Sequence, residues 1–159
     1  MMSKAGFSQL ICVILLAVFI GFSFFSETDT VKTAEEIAVN VTDKVSTEGL
    51  QSFDGERLSS QYGIDGEEFE SFMYYGSEDI MDVREILIIK GNENSDLKKV
   101  AEIISAKAEE KYNTYKDYDP VASSLLENRV IQISKGAIIY IVHDDASMGL
   151  EAFLKSVEE

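Results

Sequence analysis

The stretch RVIQISKGAIIYIVH, Arg129 to His143, decides the fold class. Two runs rich in branched apolar residues flank Lys135-Gly136, and the glycine can supply the positive φ that a two-residue turn between antiparallel strands demands. The segment therefore reads as a β-hairpin. Directly after it, Asp144 or Asp145 caps a closing helix in which Leu150, Phe153, Leu154 and Val157 recur with helical spacing. Directly before it, PVASSLLEN opens a helix at Pro120. Asp119, the residue before the proline, is pushed out of the helical region, and its carboxylate is placed to cap the helix that Pro120 begins.

Further upstream, a long helix from about Asp96 to Tyr115 carries Leu97, Val100, Ala101, Ile104, Ala108, Tyr112 and Tyr115 on one stripe. Its end, KYNTYKDYDP (Lys111 to Pro120), places Tyr112, Tyr115 and Tyr118 within about 120° of arc on that stripe. They read as packing residues, with an aromatic binding patch as the alternative. EEFESFMYYG (Glu67 to Gly76) and DVREILIIKG (Asp82 to Gly91) form a second hairpin across a polar loop containing Ser77, Glu78 and Asp79. GERLSSQYGID is a short helix ending at Gly63 in a left-handed cap. The capping box Thr33-Ala-Glu-Glu36 opens another helix, with Ala34, Ile37, Ala38, Val41 and Val45 on its apolar face, and Gly49 to Gly55 reads as a break. Strands cluster as antiparallel pairs, so the expected class is α+β: a four-stranded, mainly antiparallel sheet with helices packed on one face.

Ahead of this domain, residues 7–25 form an almost uninterrupted apolar run with Lys4 on its N-terminal side. As a helix it spans roughly 28 Å, close to the hydrocarbon thickness of a bilayer. We expect residues 1–26 to be one N-terminal transmembrane helix acting as a signal anchor, 27–32 a short linker, and 33–159 an extracytoplasmic α+β domain. A cleaved signal peptide, leaving a secreted domain, is the alternative. Cys12, the single cysteine, lies near the start of the run and reads as an apolar residue of that helix. Lys4 on one side and Glu27 and Asp29 on the other keep the N-terminus cytoplasmic.

All 29 acidic residues and 13 of the 14 basic ones lie beyond residue 26, which leaves the remainder at −16. Such a surface is a poor partner for nucleic acid or anionic headgroups. Basic proteins, polycations or divalent cations suit it better.

The run from QYGIDGEEFE through DVREILIIKG and the long helix to YKDYDPVASSLLENRVIQISKGAIIYIVHDD resembles the bacterial domain of unknown function 4358 family. Its most specific elements are Tyr118-Asp119-Pro120 and the strand, glycine turn and strand around Lys135-Gly136, and the resemblance spans roughly residues 33–157. It implies an exported, membrane-anchored or lipoprotein-like protein and no assigned activity. Glu85 matches a glutamate that opens the family's second strand. The family's arginine in the long helix falls about where Lys107 stands, so the resemblance implies a Glu85–Lys107 pairing, weakened by the lysine.

Catalytic and metal motifs are not legible. His143 ends a strand beside Asp144 and Asp145, yet adjacent strand residues point to opposite faces and no cysteine outside the apolar run could serve as nucleophile. Asn92-Glu-Asn94-Ser-Asp96 begins like a calcium loop, but Leu97 and Ile103 occupy the positions that need glycine and glutamate. No cofactor, metal or catalytic residue is expected. The sequence supports a membrane-anchored, non-catalytic binding or interaction module at the cell envelope, with Tyr74, Tyr75, Tyr112, Tyr115 and Tyr118 as candidate surface and an unknown envelope protein or ligand as partner. The alternative is a cell-envelope hydrolase using a carboxylate pair.

Overall fold

A computed structural model describes residues 32–159. The expected anchor or signal peptide of residues 1–26, with its membrane helix over 7–25, lies outside the described residues. Among those described, no helix is long and apolar enough to cross a membrane. The chain runs α1 (Ala34–Thr42), β1 (Gln51–Phe53), α2 (Gly55–Tyr62), a 3-10 turn (Gly66–Glu68), β2 (Ser71–Gly76), β3 (Glu85–Lys90), α3 (Leu97–Tyr115), α4 (Pro120–Glu127), β4 (Val130–Ser134), β5 (Ala137–Val142) and α5 (Ala146–Glu158).

Local chemistry places most of these ends. Thr33 and Glu36 exchange the two bonds of the capping box. Asp54, Asp96 and Asp119 each accept from backbone N–H groups of the helix they precede, and Gly63 closes α2 at φ 68°. Lys135 and Gly136 turn the β4–β5 hairpin with φ 47° and 73°. Two successive positive φ values match the twist of the flanking strands. The turn is tied to the end of β3, because Lys90 Nζ donates to the Lys135 carbonyl at 3.0 Å. Asp145 stands at the start of α5 without a side-chain capping bond, so the expected cap there is positional only.

The sheet has five antiparallel strands in the order β1-β2-β3-β5-β4, not the four expected. The added strand, β1, falls inside the stretch read as a break. It is three residues long and joins the sheet through its backbone, pairing Gln51 with Gly76 and Phe53 with Tyr74. Its side chains carry no alternating pattern from which pairing could be read.

Helices cover both faces, which corrects the one-face expectation. Every position of β3 and β5 is buried. Successive strand residues point to opposite faces, so EILIIK and AIIYIV offer apolar groups to both sides at once, and one layer of helices cannot cover them. Leu87, Ile89, Ile138 and Tyr140 pack with Leu58, Tyr62, Ile104, Ala108 and Leu126 of α2, α3 and α4. Ile86, Ile88, Ile139 and Ile141 pack with Ile37, Val41 and Phe153 of α1 and α5.

The α1/α5 layer lies close against the sheet. Asn40 donates to Ser156 Oγ at 2.9 Å, and Ser71 Oγ of β2 accepts from the first N–H of α1 at 2.8 Å. A Cβ on Gly149 would come within 2.5 Å of Ile141 Cδ1 and 2.8 Å of Val45 Cγ2, both on fully buried side chains. In an exposed helix Gly→Ala stabilises by about 1 kcal/mol. Here overpacking reverses the sign, and Gly149→Ala is expected to destabilise by about 1 to 3 kcal/mol. A urea midpoint that rises instead would show that α5 has room to retreat.

Candidate functional site

Glu85 opens β3 on the α2/α3/α4 face, and its side chain is only 2 % exposed. Register explains what surrounds it. Glu85 pairs with Gly76 on one side and Val142 on the other. Two residues before each of those partners stands a tyrosine, Tyr74 on β2 and Tyr140 on β5, both diagonal neighbours on the same face and within reach of a long side chain. Their hydroxyls donate to Glu85 at 3.0 Å and 3.2 Å. A third tyrosine arrives from above. Gly63 stops α2 immediately after Tyr62, whose hydroxyl donates to Glu85 Oε2 at 2.6 Å. Lys111, from α3, completes the set with an ion pair to Oε1 at 2.5 Å, its ammonium 5.8 Å from the Tyr62 ring centre.

An ionised carboxylate has about four acceptor positions. All four are used, two donors on each oxygen. The rings enclose the group edge to face: Tyr62 lies 5.9 Å from Tyr74 and 6.3 Å from Tyr140, centre to centre. Burial, and next the negative charge of Glu85, push the phenols of Tyr62, Tyr74 and Tyr140 well above their ordinary value of 10.0. They therefore act as O–H donors throughout the neutral range.

Tyr74, Glu85 and Lys111 of this cluster line a cavity of about 440 Å³. Phe53, Arg57 and Gln61 form one wall, the β2–β3 loop through Ser77 to Ile80 and Asp82 to Arg84 another, and Lys111 and Tyr115 of α3 close it. The Arg57 guanidinium lies 4.8 Å over the Phe53 ring. Across the cavity Arg84 grips Asp82 through both carboxylate oxygens, at 2.9 Å and 2.6 Å. That hydrogen bonding holds the Asp82 carboxyl below its ordinary value.

The family model for Domain of unknown function (DUF4358) matches residues 43–143. The chain belongs to that family. The match is shorter than the expected 33–157. It takes in the whole sheet and the α2/α3/α4 layer that builds the Glu85 cluster, and leaves out α1 and α5. No curated protein and no solved structure matches the chain.

Within this DUF4358 domain the five tyrosines expected to share a surface are divided. Tyr74 is buried against Glu85, whereas Tyr75, its neighbour on β2, packs with the α1/α5 layer on the opposite face. Tyr112 is half-buried on the stripe of α3. Tyr115 is buried, and its hydroxyl donates to the Ile80 carbonyl. Tyr118 is 58 % exposed and leans on Tyr115 with ring centres 5.4 Å apart. Of the three tyrosines read as packing residues, Tyr115 and Tyr112 pack against the core, and Tyr118 is exposed.

Lys107 does not meet Glu85. It pairs with Glu110 on the outside of α3, and Lys111, one turn later on the same face, takes the role instead. Sequence reading missed Tyr62, Lys111 and Tyr140 as partners. The available signal was a glutamate heading one apolar strand and a tyrosine interrupting another. His143 is buried, with Nδ1 accepting the Asp145 N–H at 3.0 Å, so its proton is on Nε2, which has no partner among the described residues. Asp145 Oδ2, 3.8 Å from that same Nδ1, is not its acceptor, and no acid–base relay runs through the pair.

Two outcomes test the cluster. Removing Lys111 leaves Glu85 buried without its counter-charge, which costs about 3 kcal/mol or more. Lys111→Met should lower stability by about that amount, Glu85→Gln by less because the Lys111 side chain is 25 % exposed, and the double variant by less than the sum, as measured by chemical denaturation. Independence of the two losses would mean that the pair is not coupled. The phenols supply the second. A raised folded-state value contributes stability that is complete below the unfolded pKa near 10 and is lost as pH rises through the folded value. Phenolate absorbance of Tyr62, Tyr74 and Tyr140 should therefore appear only together with loss of far-ultraviolet ellipticity, and early titration of all seven tyrosines would contradict the arrangement.

Proposed function

We propose that this DUF4358 protein is a membrane-anchored, extracytoplasmic binding module that takes up a small polar ligand from the cell envelope without transforming it. The observation that carries this reading is the Glu85 carboxylate with every acceptor position occupied, set at the floor of a 440 Å³ cavity. Cavities of about 300 to 1,000 Å³ with a few fixed polar groups are typical of small-molecule sites. A general base must be free to accept a proton, and Glu85 could do so only by losing a donor. It is suited instead to fix the positions of Tyr74 and Lys111 beneath a ligand. Arg57, stacked on Phe53, lines the cavity and has no salt-bridge partner among the described residues.

The hydrolase alternative needs one carboxyl with a raised pKa as acid and a second as base or nucleophile. Asp82, held low and gripped by Arg84, is suited to neither acid nor free nucleophile. The N-terminal apolar run and its charge asymmetry support the anchored, outward-facing placement.

Two measurements on the full chain test the reading. Protease added to intact spheroplasts should degrade the domain while the membrane-bound N-terminal fragment survives an alkaline wash; a protected domain would place it inside. Amide spectra of the chain in nanodiscs, titrated with a soluble cell-envelope digest, should shift around the cavity, and Arg57→Ala should abolish those shifts. Consumption of a digest component with growth of a new product would replace binding by turnover.

A further inference from the structure

Of the six large apolar side chains most exposed among the described residues, four gather at one place: Ile80 at 83 %, Met81 at 51 %, Tyr118 at 58 % and Val121 at 72 %. They come from two loops brought together by tertiary contacts. The Tyr115 hydroxyl donates to the Ile80 carbonyl, which ties the β2–β3 loop to the end of α3, and Tyr118 packs on the Tyr115 ring. Met81 and Val121 face one depression of about 350 Å³ whose apolar floor is Val83, Ala122 and Leu125. The loop is held in shape, since Asp79 Oδ1 accepts from the Met81 N–H at 2.9 Å and the Asp79 carbonyl from the Asp82 N–H at 3.0 Å. Ordering this surface on binding therefore carries little entropic cost.

The rim has one sign. Asp79, Asp82, Asp119 and Asp144 line the depression, and the single cation there, Arg84, is taken up by Asp82. Among the described residues no group of three or more His, Cys, Asp or Glu side chains is arranged to hold a metal ion. A grouped apolar patch inside a polar rim marks a contact surface. Its charge chooses the occupant: a second copy would bring the same acidic rim against this one, and anionic lipid would be repelled too, whereas a cationic partner is drawn in.

We infer that Ile80, Met81, Tyr118 and Val121 form a docking face for a basic amphipathic segment of a partner protein, apolar side inward and Lys or Arg side over the aspartates. The inference rests on the reading of the chain as a binding module; Ile80 also borders the cavity, whereas Met81, Tyr118 and Val121 lie outside its lining. Helical segments of this kind bind through apolar anchors spaced three and four residues apart.

The probe is a synthetic amphipathic Leu/Lys helix, compared with a Ser/Lys peptide of equal charge, titrated against the full chain in neutral nanodiscs. The Leu/Lys peptide should bind at least about tenfold more tightly than the Ser/Lys peptide, and the double variant Met81→Ser, Val121→Ser, at two residues outside the cavity lining, should weaken it by about tenfold. Asp144→Asn should weaken it less and reduce its salt dependence. Both serines replace exposed groups, so the variant's circular dichroism and its cavity-ligand shifts should match the parent, which separates this test from failure of the binding-module reading. Equal affinity of the double variant and the parent would reduce the effect to general charge attraction and overturn the inference. A parent dimer that the double variant converts to monomer would overturn it in favour of a second copy.

Discussion

A carboxylate withdrawn from water at the head of β3 must be met by donors, and the need to meet Glu85 ties together elements far apart in the chain. The desolvation of one ion costs several kcal/mol even after relaxation, and only a full set of hydrogen bonds with a counter-charge offsets it. Three tyrosines and Lys111 supply that set from α2, β2, β5 and α3. Each is bound to Glu85 at its polar tip and to the apolar core by its ring or stem. The arrangement therefore fixes how α2 and α3 sit on the sheet as well as how the cavity floor is built.

Two-sided burial of the central strands is the second constraint. With β3 and β5 apolar on both faces, the α1/α5 layer is as necessary to the sheet as the layer over Glu85. The two layers differ in what they offer. Beneath α1 and α5 the contacts are close and, Phe153 and Tyr75 apart, aliphatic, down to the glycine that lets α5 approach Ile141. Beneath α2 and α3 three tyrosines stand among the aliphatic groups, with hydroxyls aimed at one acid. The DUF4358 match follows the second layer and the sheet, which is where the polar chemistry lies.

Charge then separates the two candidate surfaces. The cavity sets Arg57 and Lys111 against the acidic β2–β3 loop, whereas the depression on the other side of that loop has a rim of aspartates around apolar groups. Asp82 and Arg84 border both and neutralise each other. A ligand in the cavity and a segment on the apolar face would thus meet different fields in a chain of net charge −15.

Local signals were legible because local physics produces them. The capping box at Thr33, the Asp119-Pro120 helix start, the Gly63 cap and the Lys135-Gly136 turn each depend on residues a few positions apart, and each occurs as read. The strand β1 was not legible, since three residues joined by backbone bonds leave no side-chain period. Nor was the second helical layer read from the apolar runs of β3 and β5, though their lack of alternation carries that signal. Glu85 was visible as an acid opening a strand, but its partner was expected at Lys107 and proved to be Lys111, one helical turn away, because rotation and translation of α3 over the sheet are set by packing. The sequence by itself determined the helices, their ends, the hairpin turns and the charge. Tertiary structure alone decided which tyrosines meet one carboxylate and which apolar side chains remain outside, because both depend on register and layer contacts between residues distant in the chain.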